Sequence, residues 1–309
     1  CSGGSGDSLA GGGIAGTGIT VASVGSTTGF GIVVVNGVAY DTSAAEIFIE
    51  NASVGVGNLA LAQNISVGMV VRVEGRLDPA GSAIADRVYF SSDLKGPVES
   101  ISRLDSVSLQ AVVLGQTVVM DDRTVFRNTE AASIAAGMVL EVSGLVDESG
   151  SLVATYVNRI ADALPPAGAV EIKGTVQQVD PQARTFRINQ LTVDYETADL
   201  SALSGGGPEE GQLLKVRGRL TATSLLEGER LEPFEEFGSG GFDIVDLEGI
   251  ITQAAAPDEF RISRYTVRID PETFYKNLKP VDLKPGTRVI AEGSLASRSI
   301  QADEIRRPD

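Results

Sequence analysis

The residues best suited to chemistry in this 309-residue chain gather in one acidic stretch, "EPFEEFGSGGFDIVD" at 232-246, which brings together Glu232, Glu235, Glu236, Asp243 and Asp246. Calcium takes roughly six to eight oxygen ligands from a flexible loop, and a Gly-rich acidic segment supplies such oxygens. Glu235, Glu236 and Asp243 are therefore the calcium candidates, and Asp121-Asp122 after a strand raises the same question. No ordered ligand spacing accompanies either group, so a solvated linker is the preferred reading and no metal is expected. Phe234, Phe237 and Phe242 lie in the same stretch. They are read first as tucked into a module junction and second as a partner-binding patch.

Other chemistry is narrowed by what the sequence lacks. It has no His, which removes histidine bases and Ser-His or Cys-His nucleophiles, and "GSGG" at 238-241 does not make a nucleophile elbow. Carboxylate pairs for glycoside cleavage could still meet from distant loops, but most of the 41 acidic residues are expected simply to solvate outer faces. Cys1 is the only cysteine, so an intramolecular disulfide and a multi-thiolate metal site are excluded. The expectation is a protein that is not an enzyme and carries no cofactor.

Charge narrows the partners. Lys and Arg total 25 against 41 Asp and Glu, a net charge of -16 that repels polyanions. Nucleic acid would also require a basic groove and stacking aromatics, whereas the chain has 6 Tyr, 10 Phe and no Trp. Tyr40, Tyr89 and Tyr195 are scattered singly, which leaves glycan binding as a lesser alternative. Residues 247-309 differ from the rest in balancing 10 basic with 10 acidic side chains. A balanced charged surface is the preferred reading of this C-terminal quarter, and a docking end is the alternative.

The elements that would position these groups are repeated. "VGMVVRVEG" at 67-75 returns as "AGMVLEVSG" at 136-144, "EGQLLKVRG" at 210-218 and "PGTRVIAEG" at 285-293. The paired glycines are Gly68 and Gly75, Gly137 and Gly144, Gly211 and Gly218, and Gly286 and Gly293. Read by twos, Val71 and Val73 face one way and Arg72 and Glu74 the other, the pattern of a half-buried strand. The second glycine marks a bulge or kink in a strongly bent barrel strand. Ile290 takes the outward position held by Arg72, Glu141 and Lys215 and is expected to be covered by another module or a partner.

Around each copy runs the same order of short strands. A Gly-led strand opens each repeat at Gly18, Gly96, Gly174 and Gly249, and Asn36-Gly37 makes a two-residue hairpin turn matched by Leu114-Gly115, Asn189-Gln190 and Ser263-Arg264. Asp78-Pro79-Ala80-Gly81 and Asp147-Glu148-Ser149-Gly150 read as type I turns. With no helix signature, the fold class expected is all-β: four tandem small antiparallel β-barrel (OB-like) modules behind an N-terminal flexible tether. The boundaries are 1-17 for the tether, then 18-95, 96-165, 166-246 with the acidic insertion, and 247-309. Modules of this size bury only about 60% of their unfolded surface, so contact between neighbours should help them.

The pattern Gly-x-Val-x-x-Val, then Phe-x-Ile/Val with a turn, then "VGMVVRVEGRLDPAGSAIADRV" resembles an uncharacterised domain-of-unknown-function family that recurs as tandem β modules in bacterial envelope lipoproteins. The likeness covers most of 18-309 and is best in the first two copies. It implies fold and envelope setting and brings no catalytic residue. Cys1 followed by "SGGSGDSLAGGGIAGTG" likewise resembles a mature bacterial lipoprotein, which implies lipid attachment at Cys1 and anchoring to a membrane without a spanning helix. Ser2 leans toward the outer membrane by the same resemblance. The function expected is a non-catalytic, lipid-anchored cell-envelope spacer or protein-interaction scaffold. The alternative is a self-assembling fibre subunit in which "GIAGTGITVASV" at 13-24 donates a strand to an open barrel edge.

Overall fold

The computed structural model describes residues 19-29, 33-78, 80-238 and 240-308. Cys1 and the expected tether lie outside them. The chain is all-β, built as small closed five-strand barrels distributed over two sheets. The first stretch runs β1 (Ile19–Ser26), β2 (Val33–Val35), β3 (Val38–Asp41), β4 (Glu46–Ile49), β5 (Ala52–Val56), α1 (Gly57–Asn64), β6 (Val70–Leu77) and β7 (Ala83–Phe90). β1 pairs with β6, β6 with β7, β7 in parallel with β3, and β3 with β2. The bridge between Thr27 and Val35 closes the circuit.

The second stretch repeats it with β8 (Leu94–Arg103), β9 (Leu109–Val113), β10 (Gln116–Met120), β11 (Val125–Arg127), β12 (Val139–Val146) and β13 (Leu152–Ala161). Here β8 meets β9 and β12, β9 meets β10, and β13 meets β10 in parallel and β12 antiparallel. Next come β14 (Val170–Thr175), β15 (Gln177–Asp180), β16 (Thr185–Ile188), β17 (Leu191–Asp194), β18 (Leu213–Ala222) and β19 (Leu225–Pro233). The chain ends with β20 (Ile244–Ala256), β21 (Glu259–Ile262), β22 (Tyr265–Arg268), β23 (Phe274–Lys276), β24 (Arg288–Ala296) and β25 (Ser299–Arg306). In this last stretch β20 pairs with β21 and β24, β21 with β22, and β25 with β22 and β24.

The repeated glycines do the same work in each copy. Gly68, Gly137, Gly211 and Gly286 all have φ between 78° and 90°, a left-handed conformation that a Cβ disfavours. The second glycines sit at or beside register shifts, between Glu74 and Gly75, Ser143 and Gly144, Arg217 and Gly218, and Glu292 and Gly293. A Cβ there would overlap the carbonyl oxygen of Ile84, Val153, Glu227 or Gln301 on the facing strand. The bulge lets two backbones touch, and only hydrogen fits between them.

Turn chemistry follows the sequence reading. Asn36 and Gly37 both have positive φ, 56° and 81°, as a tight hairpin with right-handed strand twist requires. Asp78 Oδ1 accepts from the amides of Ala80 and Ser82, and Asp147 Oδ1 from those of Ser149 and Ser151. Inward residues alternate as expected along β9 and β10, where Leu109, Ala111, Val113, Val118 and Met120 are buried.

Two expectations need correction. A helix is present: α1 follows β5 and buries Ala60 and Leu61, and its short, weakly patterned sequence left no periodic signal to read. The opening glycine of the first copy is Gly25 rather than Gly18, because Gly25 faces Val71 as Gly96 faces Leu140, Gly174 faces Leu214 and Gly249 faces Val289. A Cβ at Gly25 would overlap the Asn36 side chain, as one at Gly96 would overlap Leu114. Of the 13-24 segment expected to donate a strand, residues 13-18 lie outside the described residues, and 19-24 fall in β1, which pairs with β6 on one side and β20 on the other.

Contact between stretches does not follow chain order alone. β1 runs parallel to β20, with Val21 opposite Ile244 and Val24 opposite Leu247, so the first stretch shares a sheet with the last. β8 pairs with β14 through Leu94 and Ile172, which puts the two middle stretches in the other sheet. Cores mix accordingly. Tyr156 of β13 packs with the core of the first stretch, and Ala22 and Val24 of β1 pack with that of the last.

Candidate functional site

The strands converge on a cleft of about 1170 Å³ between the first, second and last stretches. One wall comes from the end of β1 and the β2-β3 turn, including Thr27, Asn36 and Gly37; another from Arg123, Val125 and Thr155; a third from Glu248, Lys276, Arg288, Ile290, Arg306 and Arg307. Among the described residues its lining holds five cations, Arg123, Lys276, Arg288, Arg306 and Arg307, against three acids, Glu248, Glu292 and Glu304. The chain as a whole has the opposite balance, 25 to 41.

Two of these cations are fixed by buried carboxylates. Arg306 donates from Nη2 to Asp246 at 2.9 Å and to the Asn36 carbonyl at 3.1 Å, and from Nη1 to Glu292 at 3.0 Å and Glu304 at 3.3 Å. Burial pushes the Asp246 carboxyl up to about 7, with Arg306 pulling it down and Glu292 adding to the rise. Arg288 donates to Glu248 at 2.8 Å and to Ser26 Oγ at 3.0 Å, while the Ser26 amide donates to Glu248. Arg123, Lys276 and Arg307 are exposed and have no carboxylate partner among the described residues.

A second polar junction lies where the 91-93 linker crosses β14 and β18. Lys215 Nζ contacts Glu50, Ser91 Oγ at 2.9 Å, the Ser92 carbonyl at 3.1 Å and Glu171 at 3.1 Å. Burial would raise the Glu50 carboxyl, but Lys215 beside it outweighs this and holds it below the usual range. Lys173 pairs with Asp93 at 2.6 Å and lies 4.0 Å from the Phe234 ring centre.

The carboxylates of the acidic insertion are paired with other parts of the chain. Glu235 pairs with Arg264 at 3.1 Å, Glu236 accepts from Ser263 Oγ at 3.0 Å, and Asp243 accepts from the amide and hydroxyl of Thr20. The three carboxylates thus have three separate partners within the chain. No cluster of three or more metal-type ligands occurs among the described residues. Asp121 similarly accepts from the Arg123 amide at 2.9 Å and caps a turn. Phe237 is 1% exposed and meets Tyr265 edge-on at 5.4 Å, Phe242 packs on the same core, and Phe234 lies under Lys173. Ile290 is 3% exposed and borders the cleft.

Sequence reasoning missed both polar junctions. The alternation pattern puts Lys215 on the outward face, yet it is 8% exposed, because that face is the one another stretch covers. A recurring Asp-x-x-Thr also has a structural role: Thr124 Oγ1 donates to Ala154 O of β13 at 2.8 Å and Thr273 Oγ1 to Ala302 O of β25 at 2.9 Å, tying corresponding loops to those strands. Its spacing, 121-124 and 270-273, was the available signal. Tyr89 is not isolated either; it stacks on Phe48 at 4.7 Å beneath Arg72.

These features define a protein of small repeated β-barrels. The chain belongs to the family described as a domain of unknown function (DUF5666), whose model matches residues 20-89, 95-158 and 248-306, well over half the sequence. A comparison with curated proteins finds no match. No helix among the described residues is long and apolar enough to cross a membrane.

Proposed function

We propose that the chain is a non-catalytic interaction scaffold of the cell envelope, made of four tandem OB-like modules that hold a shared cleft in fixed shape. The parallel pairing of β1 with β20 carries this reading, because it folds the chain back on itself and so favours a scaffold over an extended spacer. In the second stretch β13 lies between β10 and β12, an order that supports OB-like modules. For 166-246, which the family model does not cover, support comes from β14 pairing with β18, β18 with β19, β19 in parallel with β17, β17 with β16 and β16 with β15.

The envelope setting and the lipid on Cys1 belong to the same proposal and rest on sequence resemblance. Metabolic labelling with an acyl-chain probe tests them: wild type incorporates label and Cys1→Ser does not. The scaffold role is tested by a photo-crosslinking residue placed at Gly37 on the cleft rim, with Asp86 as an outward control, in intact cells. A defined protein adduct at Gly37 alone is expected. Adducts at neither position would leave the scaffold reading without support.

A further inference from the structure

Among the described residues the cleft carries more cations than acids, five against three, in a chain where acids outnumber bases. We propose that it binds an acidic peptide segment in extended form, an inference that rests on the scaffold reading and names the chemistry of its partner. Five of the chain's 25 Lys and Arg line it, and four of the five come from the C-terminal quarter. Arg288 and Arg306 are locked in place by Glu248 and Asp246, while the exposed Arg123, Lys276 and Arg307 carry no carboxylate among the described residues and present their charge to an occupant. In a walled cleft such charges act over roughly a Debye length of about 8 Å, so the local sign matters more there than the distant net charge.

The lining also sets the class of anion. Among the described residues no aromatic side chain contributes to it. Its apolar part is aliphatic, Val34, Val38, Val67, Val125 and Ile290, and its hydroxyls are Ser26, Thr27, Thr28, Thr155 and Thr287. That mixture suits a peptide alternating carboxylate and aliphatic side chains. The volume, about 1170 Å³, exceeds the usual small-molecule pocket of roughly 300 to 1,000 Å³ and suits a chain segment.

Fluorescence anisotropy tests this with the full chain and a labelled peptide of alternating Glu and Val. A Lys-Val peptide and an oligothymidylate of equal charge to the Glu-Val peptide serve as comparisons. The acidic peptide alone is expected to bind, with affinity falling as salt rises and at least about tenfold in Arg123→Glu combined with Lys276→Glu and Arg307→Glu. Each reversal is also made singly, and melting curves establish that the variants fold. Absence of peptide binding, unchanged affinity in the folded variants, or equally tight oligothymidylate binding would overturn the proposal. A crosslinked partner at Gly37 alongside a failed peptide assay would sink this chemistry while sparing the scaffold.

Discussion

Arg306, on the last strand, donates from Nη2 to the backbone oxygen of Asn36 at 3.1 Å and so ties the end of the chain to the hairpin turn of its first barrel. The same nitrogen reaches Asp246 at 2.9 Å. One guanidinium thereby pairs with one oxygen of a buried carboxylate and with a turn carbonyl 270 positions away in sequence.

Arg306→Met is expected to destabilise the protein by about 3 to 5 kcal/mol, since it strands Asp246 and leaves Glu292 and Glu304 without their shared cation. Denaturant titration measures it. A midpoint unchanged from wild type would mean that the pair contributes nothing.

Asp246 also sets a pH dependence. Its carboxyl is near 7 in the fold and about 3.9 in an unfolded chain, so the folded state holds a proton the unfolded state has released. Its contribution is therefore lost as pH rises between about 4 and 7, with a slope of at most about 1.4 kcal/mol per pH unit. Glu50, held low, acts in the opposite sense and loses its contribution as pH falls below the ordinary Glu value of about 4.3. Thermal melts from pH 5 to 8 should show stability declining in wild type and declining less in Asp246→Asn.

Lys215→Met should cost on the order of 3 kcal/mol by stranding Glu171 and Glu50 at the 91-93 linker. Limited proteolysis supplies a local readout. Faster cleavage near Ser91 and Ser92 is expected, whereas unaltered cleavage and melting would remove the clamp.

Gly75→Ala, Gly144→Ala, Gly218→Ala and Gly293→Ala should each destabilise by roughly 1 to 3 kcal/mol, because the added methyl meets a facing carbonyl in a tightly packed ladder. Gly207→Ala is the control, since a Cβ there meets nothing within 4 Å. Equal melting temperatures across all five variants would refute the shared bulge.

Much of the architecture was legible because its causes are local. The seven-residue spacing of Gly68 and Gly75, the Asn36-Gly37 turn and the Asp78 and Asp147 turns each express a backbone demand met within a few residues. Helix α1 was not legible, being two turns long and held by burial of Ala60 and Leu61 rather than by an amphipathic stripe. At the candidate site only fragments could be read: the unusual charge balance of 247-309 and the anomalous Ile290.

By itself the sequence determined a chain of repeated, kinked β units with aliphatic interiors, because alternation and turn geometry act over neighbours. Only the tertiary structure decided that β1 lies beside β20, that Lys215 and Arg306 are buried, and that Arg123 shares a cleft with Lys276 and Arg307. Those relationships join residues tens to hundreds of positions apart, and their energies depend on which faces exclude water together. No local pattern of residue types encodes that pairing of surfaces.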